Sequence, residues 1–104
     1  ETGIMVLNKK HGLGDDILLS KSSIAYKKRD FNQAIVLLER IPKEFKEGIL
    51  VDNALFKMAE IYEKRLAKPE KAMELYEKIL FDFPGSLFTV EARKRFRKLR
   101  GDGV

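Results

Sequence analysis

The sequence encodes an all-α protein of about five helices, folded as antiparallel helix-hairpin repeats. Three features carry that expectation. Apolar residues recur at i, i+3, i+4 and i+7 along most of the chain, the period of helices with one buried face. No apolar/polar alternation runs long enough to make a strand. The chain also repeats itself. A displacement of 36 carries Tyr26 onto Tyr62, Lys28 onto Lys64 and Arg29 onto Arg65, and one of 38 carries Ala34 onto Ala72, Glu39 onto Glu77, Ile41 onto Ile79 and Phe45 onto Phe83. The difference falls at Leu66 and Ala67, extra residues in a turn, as two copies of one helical hairpin require.

Residues 1–14 read as a lead-in, with Ile4 to Leu7 apolar and glycines at Gly12 and Gly14. From Asp15 the pattern becomes helical. Asp15 and Asp16 suit a helix N-terminus by capping and by the dipole, Ile17, Leu18, Leu19, Ile24, Ala25 and Tyr26 supply the apolar positions, and Lys27 to Arg29 suit the last turn. Asp30 is the N-cap of a second helix, Phe31 to about Ile41, with Pro42 setting a boundary nearby. A third helix is expected from about Ile49 to Leu66. A fourth starts at Pro69, favoured in a first turn, and ends at Pro84-Gly85-Ser86. The last, about Leu87 to Leu99, has Phe88, Ala92, Phe96 and Leu99 on one face and Gly101 as its stop. Short joints make these helices antiparallel neighbours. The expected organisation is one helical domain over 15–102: repeat one at 15–47, repeat two at 49–84 and a capping helix at 87–100.

With 44% apolar and 36% charged residues in 104, the chain can bury one modest core. The absence of cysteine excludes disulfides, thiolate catalysis and cysteine-built zinc sites. Of 21 bases and 16 acids, Glu91 to Arg100 holds six bases against one acid, which leaves 15 of each elsewhere. The net charge of +5 therefore belongs to the terminal helix. No apolar run is long enough to span a membrane, and no export leader is visible. The chain begins at Glu1 without a methionine, so the expectation is a piece of a longer, exported protein, with its compartment left open.

The repeated positions resemble the tetratricopeptide repeat. In the second copy the pattern of small and aromatic residues falls on Ala59, Tyr62, Ala72, Tyr76, Ile79 and Pro84; in the first it falls on Ser23, Tyr26, Ala34, Leu38 and Ile41, without a closing proline. Through Asp52 to Phe56, Glu70 to Tyr76, Pro84 to Ser86 and Glu91 to Arg95, residues 13–102 look like the C-terminal end of longer bacterial tetratricopeptide proteins. The resemblance implies an α-solenoid of stacked hairpins in which the small residues let backbones approach, the aromatic ones fill the gaps, and the last helix closes the open end.

No set of residues has the spacing of an active site. His11 is the single histidine and has no nucleophile or carboxylate pair beside it. Gly12-Leu13-Gly14 lacks the longer glycine signature of a phosphate loop. Asp15-Asp16 lacks the alternating oxygens of a calcium loop, and the lysines and glutamates of the third and fourth helices form a solvated, pair-supported face. No cofactor or metal is implied, and an enzyme is not expected.

The resemblance implies a protein-interaction or scaffold module whose first helices line a concave surface for a peptide or partner helix. The lining would be Ser20, Ile24 and Lys27 in one copy and Asn53, Phe56, Glu60 and Glu63 in the other. Phe56 is either an anchor for the partner or a packing residue against a neighbouring helix. This lining is not the Lys and Asn set with which some family members hold a C-terminal carboxylate. Two alternatives stand beside this reading: a structural cap of a longer solenoid, with self-association through residues 4–26, and a basic patch of Arg93, Lys94, Arg97, Lys98 and Arg100 that docks on an anionic partner. Without aromatic residues on that charged face, nucleic acid is disfavoured as the partner, as is a membrane surface.

Overall fold

The computed structural model describes residues 14–46 and 48–101; of the expected lead-in, residues 1–13, including His11, lie outside the described residues, while Gly14 opens the first helix. Among the described residues there are five helices and no strand: α1 (Gly14–Lys27), α2 (Phe31–Glu44), α3 (Val51–Lys64), α4 (Pro69–Asp82) and α5 (Thr89–Arg100). The architecture is all-α, built of short helices in hairpin-like succession. The chain divides into two compact units, the first ending at Ala54 and the second starting at Leu55. In the first, α1 packs along α2; in the second, α4 packs along α5.

α1 carries Asp15 and Asp16 in its first turn and Lys27 in its last, each facing the helix-dipole end of opposite sign. It buries Asp15, Leu18, Ser22 and Ala25, one stripe at helical spacing. Asp15 does not cap: among the described residues neither carboxylate oxygen has a hydrogen-bond partner, although the residue is fully buried. The expected small packing position, Ser23, faces solvent, and the buried serine is Ser22, whose hydroxyl donates to the Leu19 carbonyl at 2.7 Å. Ile17 and Ile24 are about half exposed, so they do not belong to the core stripe.

Asp30 caps α2 as its chemistry demands, its side chain accepting from the Gln33 amide at 3.3 Å. The helix runs through Pro42 to Glu44, three residues beyond the boundary the sequence suggested. Pro42 removes one intrahelical bond so near the end that the last turn survives, closed by the Phe45 amide on the Ile41 carbonyl at 2.8 Å. α4 begins at Pro69 without a side-chain cap, consistent with proline's pre-set φ at a first turn. Ser86 prepares α5: its hydroxyl accepts from the Phe88 amide and its carbonyl accepts from the Thr89 hydroxyl, both at 3.0 Å. Gly101, at φ 98, is left-handed and returns its amide to the Arg97 and Lys98 carbonyls.

Positions related by the sequence displacements share their burial. Asp15, Leu18, Ser22 and Ala25 are buried, and a displacement of 36 places them on Val51, Ala54, Met58 and Ile61, all buried too. A displacement of 38 carries the buried Ala34, Leu38 and Ile41 onto the buried Ala72, Tyr76 and Ile79. The C-caps match as well: Phe45 has φ −130 and ψ 54, Phe83 has φ −133 and ψ 58, and each returns its amide to the isoleucine four residues back. Tyr26 lies edge-on to Phe31 at 5.3 Å, and Tyr62 lies beneath the Lys71 ammonium at 5.9 Å. The linking turns each hold one non-glycine residue in left-handed backbone, Arg29 at φ 64 and Ala67 at φ 54.

The copies differ on one face of the first helix. In α3, Leu55, Phe56 and Ala59 are buried in addition to the shared stripe. Their counterparts in α1 are the half-buried Leu19 and the exposed Ser20 and Ser23.

Candidate interaction surfaces

Of the residues expected to line a binding surface, Ser20, Ile24 and Lys27 are exposed and lie on one face of α1 at i, i+4 and i+7. Ile17 extends that face by a turn. Ile24 is 53% exposed and Ile17 48%.

The counterparts of Ser20, Ile24 and Lys27 under the repeat are Phe56, Glu60 and Glu63, and all three are engaged inside the second unit. Phe56 is 8% exposed, stacked on Phe88 with ring centroids 4.9 Å apart and edge-on to Tyr76 at 5.7 Å, so it is a packing residue. The Arg95 guanidinium lies over the same ring at 5.2 Å. Arg95 Nη1 donates to Glu60 Oε2 at 2.8 Å and to the Tyr76 hydroxyl at 3.3 Å, while Nε donates to Glu91 Oε2 at 2.9 Å. The Tyr76 hydroxyl donates to Glu63 Oε1 at 2.7 Å. Asn53 is half-buried in the first turn of α3.

This network shifts its members in the directions its chemistry requires. Burial raises the Tyr76 phenol well above the ordinary tyrosine value, with a contribution in the same sense from Glu63. Burial opposes the Arg95 charge, but hydrogen bonds to Tyr76, Glu91 and Glu60 outweigh it and leave the guanidinium more firmly protonated than usual. The hydrogen bond from Arg95 holds the Glu91 carboxyl below its usual range, with Lys94 and Lys64 pulling the same way.

Beside the network a cleft of about 720 Å³ opens between the last turn of α3 and α5. Glu63, Lys64, Val90, Glu91, Arg95 and the exposed Arg93, Lys94, Arg97 and Lys98 line it. Four of the five basic residues read from sequence as a patch therefore meet at one concavity. The fifth, Arg100, lies over the Phe96 ring at 5.1 Å. Sequence reading missed the pivotal member, Arg95. Its i, i+4 spacing from Glu91 was visible, but the link to Glu60, 35 residues earlier, depends on the hairpin closing.

Residues 53–86 match the family model described as tetratricopeptide repeat. Over this segment the chain is similar to a tetratricopeptide repeat. No curated protein and no solved structure matches the chain. The matched segment takes in nearly all of α3, the whole of α4 and the Pro84 turn, and ends where Ser86 begins to organise α5. Tetratricopeptide repeats in general mediate protein–protein contacts or scaffolding and are typically non-catalytic. Among the described residues no three His, Cys, Asp or Glu side chains converge as metal ligands, and no helix is long and apolar enough to cross a membrane.

Proposed function

We propose that this chain is a non-catalytic interaction module that captures a peptide or helix of another protein, and that the segment lies on the α1 face formed by Ser20, Ile24 and Lys27. One observation supports the reading above the others. The corresponding face of α3 is covered in the second unit by Phe88 and Arg95, yet on α1 it leaves two isoleucines about half exposed. An apolar strip rimmed by polar residues suits a partner's apolar side chains. Ile24→Glu would place a charge at the centre of that strip. Capture of a partner from extract of the source cells by the immobilised protein should then be lost while helical circular dichroism stays unchanged; undiminished capture by the variant would refute this site.

A second reading is favoured by α5 itself, which covers α3 with Phe88 and Arg95 and turns cations toward water, as the terminal helix of a longer repeat array does. In that case the exposed isoleucines of α1 serve self-association or an upstream repeat. Sedimentation at rising concentration separates the two: a dimer abolished by Ile24→Glu supports the cap, and a monomer throughout removes self-association.

A further inference from the structure

The cleft beside α5 is charged in a way the fold does not need. Six cations and two acids line it, a net charge of +4. Both acids are already engaged inside the protein, Glu63 by the Tyr76 hydroxyl and Glu91 by Arg95, and Arg95 is held through Nε and Nη1 by Glu91, Glu60 and Tyr76. Lys64, Arg93, Lys94, Arg97 and Lys98 remain, without an ion pair or hydrogen bond among the described residues. Arg93 and Arg97 are one turn apart, as are Lys94 and Lys98, spacings at which like charges repel. Elsewhere the same spacing is used for attraction: Arg40 pairs with Glu44 at 2.7 Å and Lys78 with Asp82 at 2.9 Å. Five such cations therefore share one concavity.

We infer that this cleft binds an acidic segment of a partner protein, with carboxylates at Lys64, Lys94 and Lys98 and an apolar side chain resting on Val90. The inference rests on the interaction-module reading and adds the partner's chemistry. Charge complementarity selects an anion. Glu91 already shows what the site does to a carboxylate, since Lys94 and Lys64 help Arg95 to keep it ionised. Val90, 71% exposed, asks for an apolar contact that a phosphate backbone does not offer. Among the described residues no aromatic side chain lines the cleft for bases to stack on. The concavity also fits a peptide better than the flat surface of a bilayer.

The test uses fluorescence anisotropy with the whole chain at low salt. The probe is a labelled peptide of about a dozen residues, rich in Asp and Glu around one Leu, of a length suited to a short groove. Wild-type protein should bind it saturably, and K94E/K98E should weaken binding by roughly tenfold or more, since a reversed charge repels what the original attracted. Lys64→Glu, on a different helix, should weaken it too, which keeps the test valid if the double variant folds poorly. A peptide with Leu replaced by Ser should bind more weakly to wild type but equally to Val90→Asp. Equal peptide binding by wild type and both charge variants would overturn the inference. So would tighter binding of an oligothymidine or of phosphatidylserine-containing vesicles than of the peptide. These failures leave the α1 face standing, because Ile24→Glu reads that face and the peptide does not.

Discussion

Tyr76 and Glu63 are joined by a 2.7 Å hydrogen bond that ties the middle of α4 to the last turn of α3, and the same hydroxyl accepts from Arg95 on α5. One fully buried phenol on α4 thereby touches both helices that line the basic cleft. Its removal should be felt through the second unit. Tyr76→Phe keeps the ring and deletes the hydroxyl, leaving Glu63 and Arg95 each short of a partner. The expected loss is about 1–3 kcal/mol, the range for hydrogen bonds that involve charged groups. Urea unfolding followed by circular dichroism measures it; an unchanged midpoint would mean that water replaces the hydroxyl at no loss.

The same phenol predicts an alkaline limit to stability. Its folded-state pKa is raised, so the neutral form belongs to the native state. The stability this contributes is fully present below the ordinary value of 10.0 and is lost as pH rises beyond it toward the folded value. Subtracting the ultraviolet titration of Tyr76→Phe from that of wild type should show no tyrosinate signal from this residue near pH 10 while the protein remains folded. A simple titration at that pH would contradict the burial.

Much of this arrangement was legible in the sequence and part of it was not, and the boundary is physical. Helix positions, the Asp30 cap, the Pro69 start, the Gly101 stop and the two-copy register all depend on residues within a turn or two of each other, and periodicity reports them. Pro42 misled because its penalty depends on how much helix follows, which is here less than a turn. Ser22 and Ser23 were exchanged because a one-residue rotation of an amphipathic helix moves the buried face by about 100° with little change in pattern. Phe56 could be placed on α3 but not assigned inside or outside, because its cover, Phe88, comes from beyond the repeat. The cleft was half visible: its cations stood out as a run, but their meeting with Lys64 requires the chain to fold back.

Arg95 and Glu60 are the link between α3 and α5 that a double-mutant cycle can isolate. Their side chains are 18% and 35% exposed, which places the pair between a surface salt bridge and a buried one. Arg95→Met and Glu60→Gln, singly and together, should give a coupling energy of about 1 kcal/mol that falls as salt is added. A coupling of zero would assign the position of α5 to Phe88 and Ala92 packing alone.

Gly48 is held by its surroundings and not by its backbone angle. A methyl group there would meet the Asp15 carboxylate at 2.8 Å and the Phe45 carbonyl at 3.1 Å. Gly48→Ala should destabilise the first unit by about 1–3 kcal/mol, as overpacking does. Gly85, with nothing within 4 Å, should tolerate the same change to within about 0.5 kcal/mol. Thermal unfolding of both variants provides the comparison, and equal behaviour would contradict the close approach of Asp15 to Gly48.

The claim that the open repeat face receives another protein is tested most directly by photocrosslinking in the source cells, with a photoreactive amino acid in place of Ile24 on α1 and, as control, in place of the exposed Glu39 on α2. The account predicts a discrete protein adduct from position 24 that position 39 does not give. Identical patterns from the two positions, or no adduct from position 24, would contradict it.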